Sequence, residues 1–413
     1  MNASDGSKEF TSKQKQVCLA RQPILDRRCN VIAYELLFRT PGSQTAKIDN
    51  AGEATINVVT NAFTNIGVET LLGGKKAYIN FDATLLKSDI TKILPKDKIV
   101  IEIVETVEID DDLLSSLRRL HSEGYRFALD DFIHRDEIEL LYQFVDIIKL
   151  DITLYEKETL IEQVEYFQKH NKVLLAEKVE TQNEFELCRT LGFKLFQGYF
   201  FAKPTIITQG DLPASKRHLI DIMNAVMEDA DSRMIEEKII RDVSVSCKLL
   251  KFVNSAGLTR GQELDSINDA LVMIGRKQLY RWLSILLFST DDVGDKQPNA
   301  LFNAAIYRGR LLEVFGEITH HKNPADLFVL GTFSYLEALL QRNLSQILKD
   351  MIVPTLMKDA LLENKGEYWP YLDLAIKLEK GEFEKIDIKS INLTVEQVNH
   401  AQLNATAYCE FIT

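Results

Sequence analysis

Short apolar runs that stop on a polar residue recur along the first half of the chain. Lys76-Ala-Tyr-Ile-Asn80-Phe, Ile99-Val-Ile-Glu102-Ile-Val-Glu105, Arg126-Phe-Ala-Leu-Asp130-Asp131-Phe132, Ile147-Ile-Lys149-Leu-Asp151, Val173-Leu-Leu-Ala-Glu177 and Lys194-Leu-Phe-Gln197-Gly198 are all of this kind. Runs this short and this rich in aliphatic and β-branched residues predict buried strands. Between 19 and 28 residues separate Asn80, Glu102, Asp130, Lys149, Glu177 and Gln197 in turn, enough for one helix and two loops per interval. Repeated strand-helix units predict a parallel sheet, and polar residues gathered at the carboxyl ends of several strands are how a (β/α)8 barrel assembles a site. Upstream, Cys18 to Asp26 and Val31 to Arg39 flank the polar break Asp26-Arg-Arg-Cys-Asn30, which predicts a hairpin.

From Ser215 the period changes. Leu219, Ile220, Met223 and Val226, then Leu271, Ile274, Leu279, Leu283 and Leu286, recur at helical spacing. Further helices are expected over Ala300 to Ile318, Ala325 to Ile347, Leu356 to Leu362 and Tyr371 to Lys380, and a last one opens at Thr394 with the capping box Thr394-Val-Glu-Gln397. Asn254-Ser255-Ala256-Gly257 reads as a helix end with Gly257 as its left-handed cap. The breakers in Thr208-Gln-Gly210-Asp211-Leu-Pro213 mark the change of character as a domain boundary.

Composition narrows the partners. A length of 413 residues suits two domains. A formal charge of −12 argues against general binding to nucleic acid or to anionic membrane. No apolar run approaches the roughly 18 residues of a membrane span, and the polar stretch Met1 to Gln16 reads as a mobile tail without a signal-peptide core. Cys18, Cys29, Cys188, Cys247 and Cys409 lack Cys-x-x-Cys spacing and read as reduced thiols of a cytoplasmic protein.

Two features carry chemistry on their face. Asp130 and Asp131 stand side by side at a strand mouth, where they raise one another's pKa unless a cation neutralises them, although an isolated pair of this kind also suits a solvated turn. Glu35 lies in an apolar stretch, and a salt bridge to Arg39 four residues on is its simplest structural account.

Taken in order, Gln22-Pro23-Ile24, Glu35-Leu-Leu-x-Arg39, Asn80, Glu102-Ile-Val-Glu105, Asp130-Asp131-Phe132, Lys149-Leu-Asp151, Ala176-Glu177-Lys-Val-Glu180-Thr181 and Gln197-Gly198-Tyr199-x-Phe201-x-Lys203-Pro204 resemble the signature segments of EAL domains. Those are bacterial phosphodiesterases of cyclic di-GMP, and the resemblance covers residues 17–205. It implies a modified (β/α)8 TIM-type barrel with one strand reversed, two Mg²⁺ or Mn²⁺ ions per barrel, and hydrolysis of cyclic di-GMP to linear pGpG. Carried over by position, Glu35, Asn80, Glu102 and Asp130 hold the first metal and Asp130 and Asp131 reach the second. Lys149 and Glu177 position and help deprotonate the attacking water, Gln197 supports the second-metal side, and Gln22 and Arg39 hold the substrate. Oxygen ligands without His or Cys suit a hard divalent ion better than zinc.

The pattern is broken after Asp-Asp-Phe. The family has a Gly-Thr-Gly-Tyr-Ser-Ser loop there that organises the second metal and often a dimer contact, and Glu105 in the family steadies it; here Ile133-His134-Arg135-Asp136-Glu137-Ile138 takes its place. Ile, His and Arg resist backbone conformations that glycine permits. His134-Arg135 reads as either a solvated loop or a new phosphate contact. Smaller departures are Leu36 for the Ala of Glu-Ala-Leu, Val104 for Thr, and Lys178 for the Gly after Glu177.

In the second half, Lys248 to Ala256 and Ser266 to Arg276 resemble the best-marked segments of HDOD domains, all-α modules related to HD-type metal phosphohydrolases but without their metal ligands, over residues 206–413. None of the seven histidines precedes an Asp, and the adjacent His320 and His321 read as a surface cap. The combination implies a cyclic di-GMP phosphodiesterase whose helical domain regulates it or docks an unidentified protein, with the barrel as a candidate homodimer surface. The rewritten loop supports a second reading, a catalytically inactive cyclic di-GMP receptor or interaction scaffold. Catalysis by the helical domain would need metal ligands that the sequence lacks.

Overall fold

The apolar runs form eight strands that close on one another: β1 (Cys18–Asp26), β2 (Val31–Arg39), β3 (Lys76–Phe81), β4 (Ile99–Ile103), β5 (Arg126–Leu129), β6 (Ile147–Asp151), β7 (Val173–Glu177) and β8 (Leu195–Gln197). This computed structural model describes residues 18–39, 72, 74–88, 91, 94–104, 107–130, 139–202, 212–255, 264–289 and 299–412. The expected N-terminal tail, Asp131, Glu105, the segment from Ile133 to Ile138, Gly257 and most of the expected boundary from Thr208 lie outside those residues, and Arg39 is described in its backbone alone.

β1 runs antiparallel to both β2 and β8, while β2 to β8 are parallel in sequence order. The barrel therefore has the one reversed strand that the resemblance implied. Its hairpin turn is built locally: Asp26 Oδ1 accepts the backbone N–H groups of Arg28 at 2.8 Å and Asn30 at 2.9 Å, and Cys29 takes a left-handed conformation with φ 58°.

Around the barrel lie α1 (Ala83–Lys87), α2 (Asp111–Glu123), α3 (Glu139–Tyr142), α4 (Lys157–Lys169) and α5 (Gln182–Leu191). Their apolar stripes face the sheet; Leu113, Leu117 and Leu120 of α2 and Leu160, Val164 and Phe167 of α4 are fully shielded. Local capping sets the starts: Asp110 caps α2 through the N–H of Leu113, and Thr181 with Glu184 forms a capping box on α5.

The rest is helical: α6 (Ala214–Met227), α7 (Ser232–Ile240), α8 (Val243–Ser255), α9 (Ile267–Phe288), α10 (Asn299–Ile318), α11 (Pro324–Phe333), α12 (Leu336–Leu340), α13 (Leu344–Asp350), α14 (Thr355–Glu363), α15 (Trp369–Lys380) and α16 (Val395–Ile412). The Thr394 capping box is formed, with Thr394 N–H donating to Gln397 Oε1 at 2.8 Å and Gln397 N–H to Thr394 Oγ1 at 3.2 Å. Two helical expectations need correction. The single helix expected over Ala325 to Ile347 is three, because the chain turns at Tyr335 and again at Gln341, which is left-handed at φ 49°. The helix through Leu271 and Leu279 is broken at Gly275 (φ 69°, ψ 161°). His321 is no surface cap either: its ring packs edge-on against Tyr368 and Tyr371, accepts the Asn323 N–H at Nδ1 over 3.1 Å and donates from Nε2 to Glu367 Oε1 over 3.1 Å.

Helices α15 and α16 lie on β1. Leu19 N–H donates to Asn399 Oδ1 at 2.9 Å, the Gln402 amide donates to the Leu19 carbonyl, and the Arg21 guanidinium is held between the rings of Tyr34 at 4.3 Å and Tyr307 at 4.4 Å. The strand that the barrel runs backwards is thus the one that the helical region covers. No helix among the described residues is long and apolar enough to cross a membrane.

Candidate active site

The barrel interior is plugged by one apolar side chain from each strand: Ile24, Ala33, Tyr78, Val100, Ala128, Ile147, Leu175 and Leu195. Side chains alternate along a strand, so the residue two positions further toward the mouth faces the same interior. From β2 to β8 that residue is Glu35, Asn80, Glu102, Asp130 (one residue past the end of β5), Lys149, Glu177 and Gln197; on the reversed β1 the count runs the other way, to Gln22. Each strand therefore supplies one polar side chain to a single layer above the plug, at the carboxyl ends of the parallel strands. Strand pairing sets Gln22 opposite Glu35 and Asn80 opposite Glu102.

Lys149 stands at the centre of the layer. Its Nζ lies 2.6 Å from Asp130 Oδ1, 2.8 Å from Glu102 Oε1, 2.8 Å from Glu177 Oε1 and 3.3 Å from Glu35 Oε2, and the lysine is 1% exposed. The expected bridge from Glu35 to Arg39 falls on a side chain outside the described residues; among those described, Asn80 Nδ2 donates to Glu35 Oε1 at 3.0 Å, and Gln197 Nε2 donates to Glu35 Oε2 at 2.7 Å and to Gln22 Oε1 at 2.8 Å.

Glu35, Glu102 and Glu177 are buried and share the Lys149 ammonium with Asp130, which is 18% exposed, and the titration of the buried glutamates reflects that crowding. Burial, then the neighbouring charge of Glu35, pushes Glu102 well above the ordinary glutamate value. Burial likewise raises Glu177 well above it, with Lys149 offsetting only part. Glu35 goes the other way: burial pushes its carboxyl up, but the charge of Lys149 and the hydrogen bonds from Gln197, Asn80 and Lys149 outweigh it and hold the carboxyl low. Burial opposes the charge on Lys149, yet Glu102, Glu177, Glu35 and Asp130 together hold the ammonium well above its usual value.

The donor set fits a hard divalent cation. Asn80 Oδ1, Glu102 Oε2 and Gln197 Oε1 are shielded oxygens without a hydrogen-bond partner, and Glu102 Oε1 is paired with Lys149 alone among the described residues, at 2.8 Å. Uncompensated buried acceptors are costly, and a cation is what satisfies acceptors that have no donor nearby. Among the described residues no three acidic, histidine or cysteine side chains form a metal-ligand group by themselves; Glu35, Glu102, Asp130 and Glu177 meet at the Lys149 ammonium.

Two supports of the layer were not singled out as such from the sequence. Gly198 follows Gln197 with φ 145°, and a Cβ there would lie 2.0 Å from the Val179 carbonyl oxygen, so only glycine lets β8 leave the layer along that path. Lys178, which stands where the family has glycine, is left-handed at φ 54°, and its Nζ reaches Asp151 Oδ2.

The EAL domain family model matches residues 7–204 and the HDOD domain model residues 212–332. The uncharacterized protein YuxH of Bacillus subtilis (strain 168) is 31% identical over 404 residues, covering 95% of this chain and 98% of YuxH. The chain belongs to the EAL family and joins its barrel to an HDOD domain. Cyclic di-GMP phosphodiesterase CdgJ of Vibrio cholerae is 31% identical over the same length, covering 95% of this chain and 92% of CdgJ. Among solved structures, the EAL domain of Mycobacterium smegmatis DcpA is 23% identical over 44% of this chain and 90% of that one, with a TM-score of 0.37. The Bacillus subtilis YkuI protein, with an EAL domain and in complex with c-di-GMP and calcium, is 18% identical over 66% of this chain and 75% of that one, with a TM-score of 0.38.

Proposed function

We propose that this EAL-HDOD protein is a metal-dependent cyclic di-GMP phosphodiesterase that yields linear pGpG. The observation that carries the reading is the layer of eight polar side chains, one per strand, whose shielded oxygens outnumber their donors. Glu35, Asn80, Glu102 and Asp130 would hold one Mg²⁺ or Mn²⁺, and Asp130 with Asp131 a second. Bound there, such ions lower the pKa of water and stabilise the entering and leaving oxygens of an in-line displacement.

The protein's own groups do the rest. Lys149 and Glu177, 2.8 Å apart, hold and accept the proton of the attacking water. Gln22 and Arg39 bind the nucleotide, Arg39 through a phosphate that its planar guanidinium engages by two parallel hydrogen bonds. By the EAL resemblance Glu105 would support the segment after Asp131, and both lie outside the described residues. Residues 17–205 form the catalytic domain and residues 206–413 a helical domain that regulates it or docks a protein partner. A cytoplasmic setting agrees with the scattered cysteines, and the barrel is the surface through which two copies would pair.

Purified full-length protein incubated with cyclic di-GMP and Mg²⁺ or Mn²⁺ should release pGpG, read by chromatography. Glu35→Ala should abolish release, since it removes a ligand and frees Asn80, Gln197 and Lys149 from their shared partner. The Ile133 to Ile138 segment supports one other reading, a receptor that binds cyclic di-GMP without turnover. Binding with the nucleotide recovered intact at high enzyme concentration would select that reading and reject the hydrolase.

A further inference from the structure

A helix ends with carbonyls that have no intrahelical donor. At the end of α15 the N–H groups of Gly381 and Glu382 return to Lys377 and Leu378. The Glu379 carbonyl takes its donor from the barrel instead: Gln22 Nε2 points to it at 3.4 Å. The other end of the same amide, Gln22 Oε1, accepts from Gln197 Nε2 at 2.8 Å. Those two contacts fix which way the Gln22 amide faces. A flip would set its oxygen against a helix-end carbonyl, where the dipole is negative, and its NH₂ against that of Gln197.

The end of α15 is itself pinned. Glu379 accepts from Arg308 Nε at 2.9 Å and from Tyr335 Oη at 2.9 Å, and Arg308, only 6% exposed, also donates through Nη2 to Glu379 and to Tyr335. Next to it, Gly381 is left-handed at φ 68°, and a Cβ there would sit 3.0 Å from Leu37 Cδ1 and 3.3 Å from Gln22 Nε2. No other member of the polar layer is touched by the helical region in this way among the described residues.

We propose that the Glu379 to Gly381 end of α15 is a positioning element for Gln22, so that the helical region sets the nucleotide affinity of the barrel through one side-chain amide. The inference rests on the cyclic di-GMP reading for its ligand, though not for its geometry. It makes Glu379 a positioning residue, acting through Gln22 rather than on substrate.

A double-mutant cycle in the full-length chain tests it. Gly381→Asn keeps a residue that tolerates the left-handed cap but adds the Cβ, and Glu379→Gln loosens the pin without changing its shape. Each should raise KM for cyclic di-GMP, or its Kd by calorimetry with metal chelated, by about 3- to 10-fold, the scale of one hydrogen bond, with kcat within about twofold. In a Gln22→Ala background neither should weaken binding further. Equal penalties in both backgrounds, or no change in either variant that melts like the parent, overturn the proposal. If the parent chain neither binds nor hydrolyses cyclic di-GMP, the functional reading fails by itself. The positioning claim is then decided by the ¹⁵N side-chain amide signal of Gln22, assigned by its loss in Gln22→Ala. It must move in Gly381→Asn, and a fixed signal refutes the contact.

Discussion

Replacing Lys149 with methionine should destabilise the metal-free protein and make it more dependent on divalent ions. Methionine keeps most of the buried stem and removes only the charge that sits 2.6 to 3.3 Å from four carboxylates. Removing one partner of a buried ion pair costs about 3–5 kcal/mol, because the remaining charge is left without compensation. In a barrel of this size each kcal/mol moves the melting temperature by about 2–4 °C, so the loss in chelator at pH 8 should be roughly 6–20 °C. At pH 6 the loss should be smaller, since Glu102 and Glu177, already raised by burial, can take up protons in place of the ammonium.

Mg²⁺ or Mn²⁺ should then rescue the variant more than the parent. In the parent a cation must compete with the Lys149 ammonium for Glu35, Glu102 and Asp130; in the variant that competing charge is gone. Scanning calorimetry at pH 6 and pH 8, with chelator or with metal, gives the four melting temperatures needed for each protein. A variant that melts with the parent in chelator, or that gains no more from metal than the parent does, would refute the view that this layer is a cation site held closed by its own lysine.

Three further outcomes follow from the same geometry. Stability of the metal-free protein should fall as pH rises from the ordinary carboxylate range toward neutrality: the raised Glu102 and Glu177 contribute fully below their unfolded pKa and lose that contribution as pH passes their folded values. Glu35, held low, works oppositely and loses its contribution on acidification; a denaturation series flat from pH 5 to 8 in chelator would contradict the carboxylate crowding. Gly198→Ala should cost about 3 kcal/mol or more, through positive φ and a clash with Val179 backbone, and should lower turnover with it by displacing Gln197; urea denaturation and pGpG release read both. Lys178→Gly should change stability by less than about 1 kcal/mol, because relief of a left-handed backbone offsets an ion contact from a side chain that is 60% exposed; a loss above about 2 kcal/mol in the same urea assay would show that the contact to Asp151 matters more than its exposure allows.

The polar layer was legible in the sequence because strands have a period of two. Every apolar run of the parallel strands carries its plug residue and, two positions on, its polar one, so Tyr78 announces Asn80 and Leu175 announces Glu177. Gln22 was reachable only through the family resemblance, since strand direction is invisible in a pattern that reads the same both ways. The partners of Glu35 were hidden for a related reason. Four residues span one turn of a helix but roughly 13 Å of a strand, so a side chain inside the barrel finds partners on other strands instead. In the helical half, α11 is apolar on all sides, Leu327 to Phe333 being buried without a break, and a pattern with no polar face carries no phase from which to place the turns at Tyr335 and Gln341.

The contact between the two regions was not readable at all, because it joins residues more than 350 positions apart. It is nonetheless the contact through which the proposed control of the polar layer would act. Gln197 spends its NH₂ group on Glu35, in the carboxylate layer, and on Gln22, against α15, leaving its own oxygen facing the site without a donor. Any cation that draws on that oxygen and any shift of α15 that turns Gln22 therefore act on one amide. Coupling between two ligands through a shared group is reciprocal. A helical region that changes nucleotide affinity through Gln22 must, by the same free energy, be held differently when the barrel is loaded, and that is the property a regulatory domain requires.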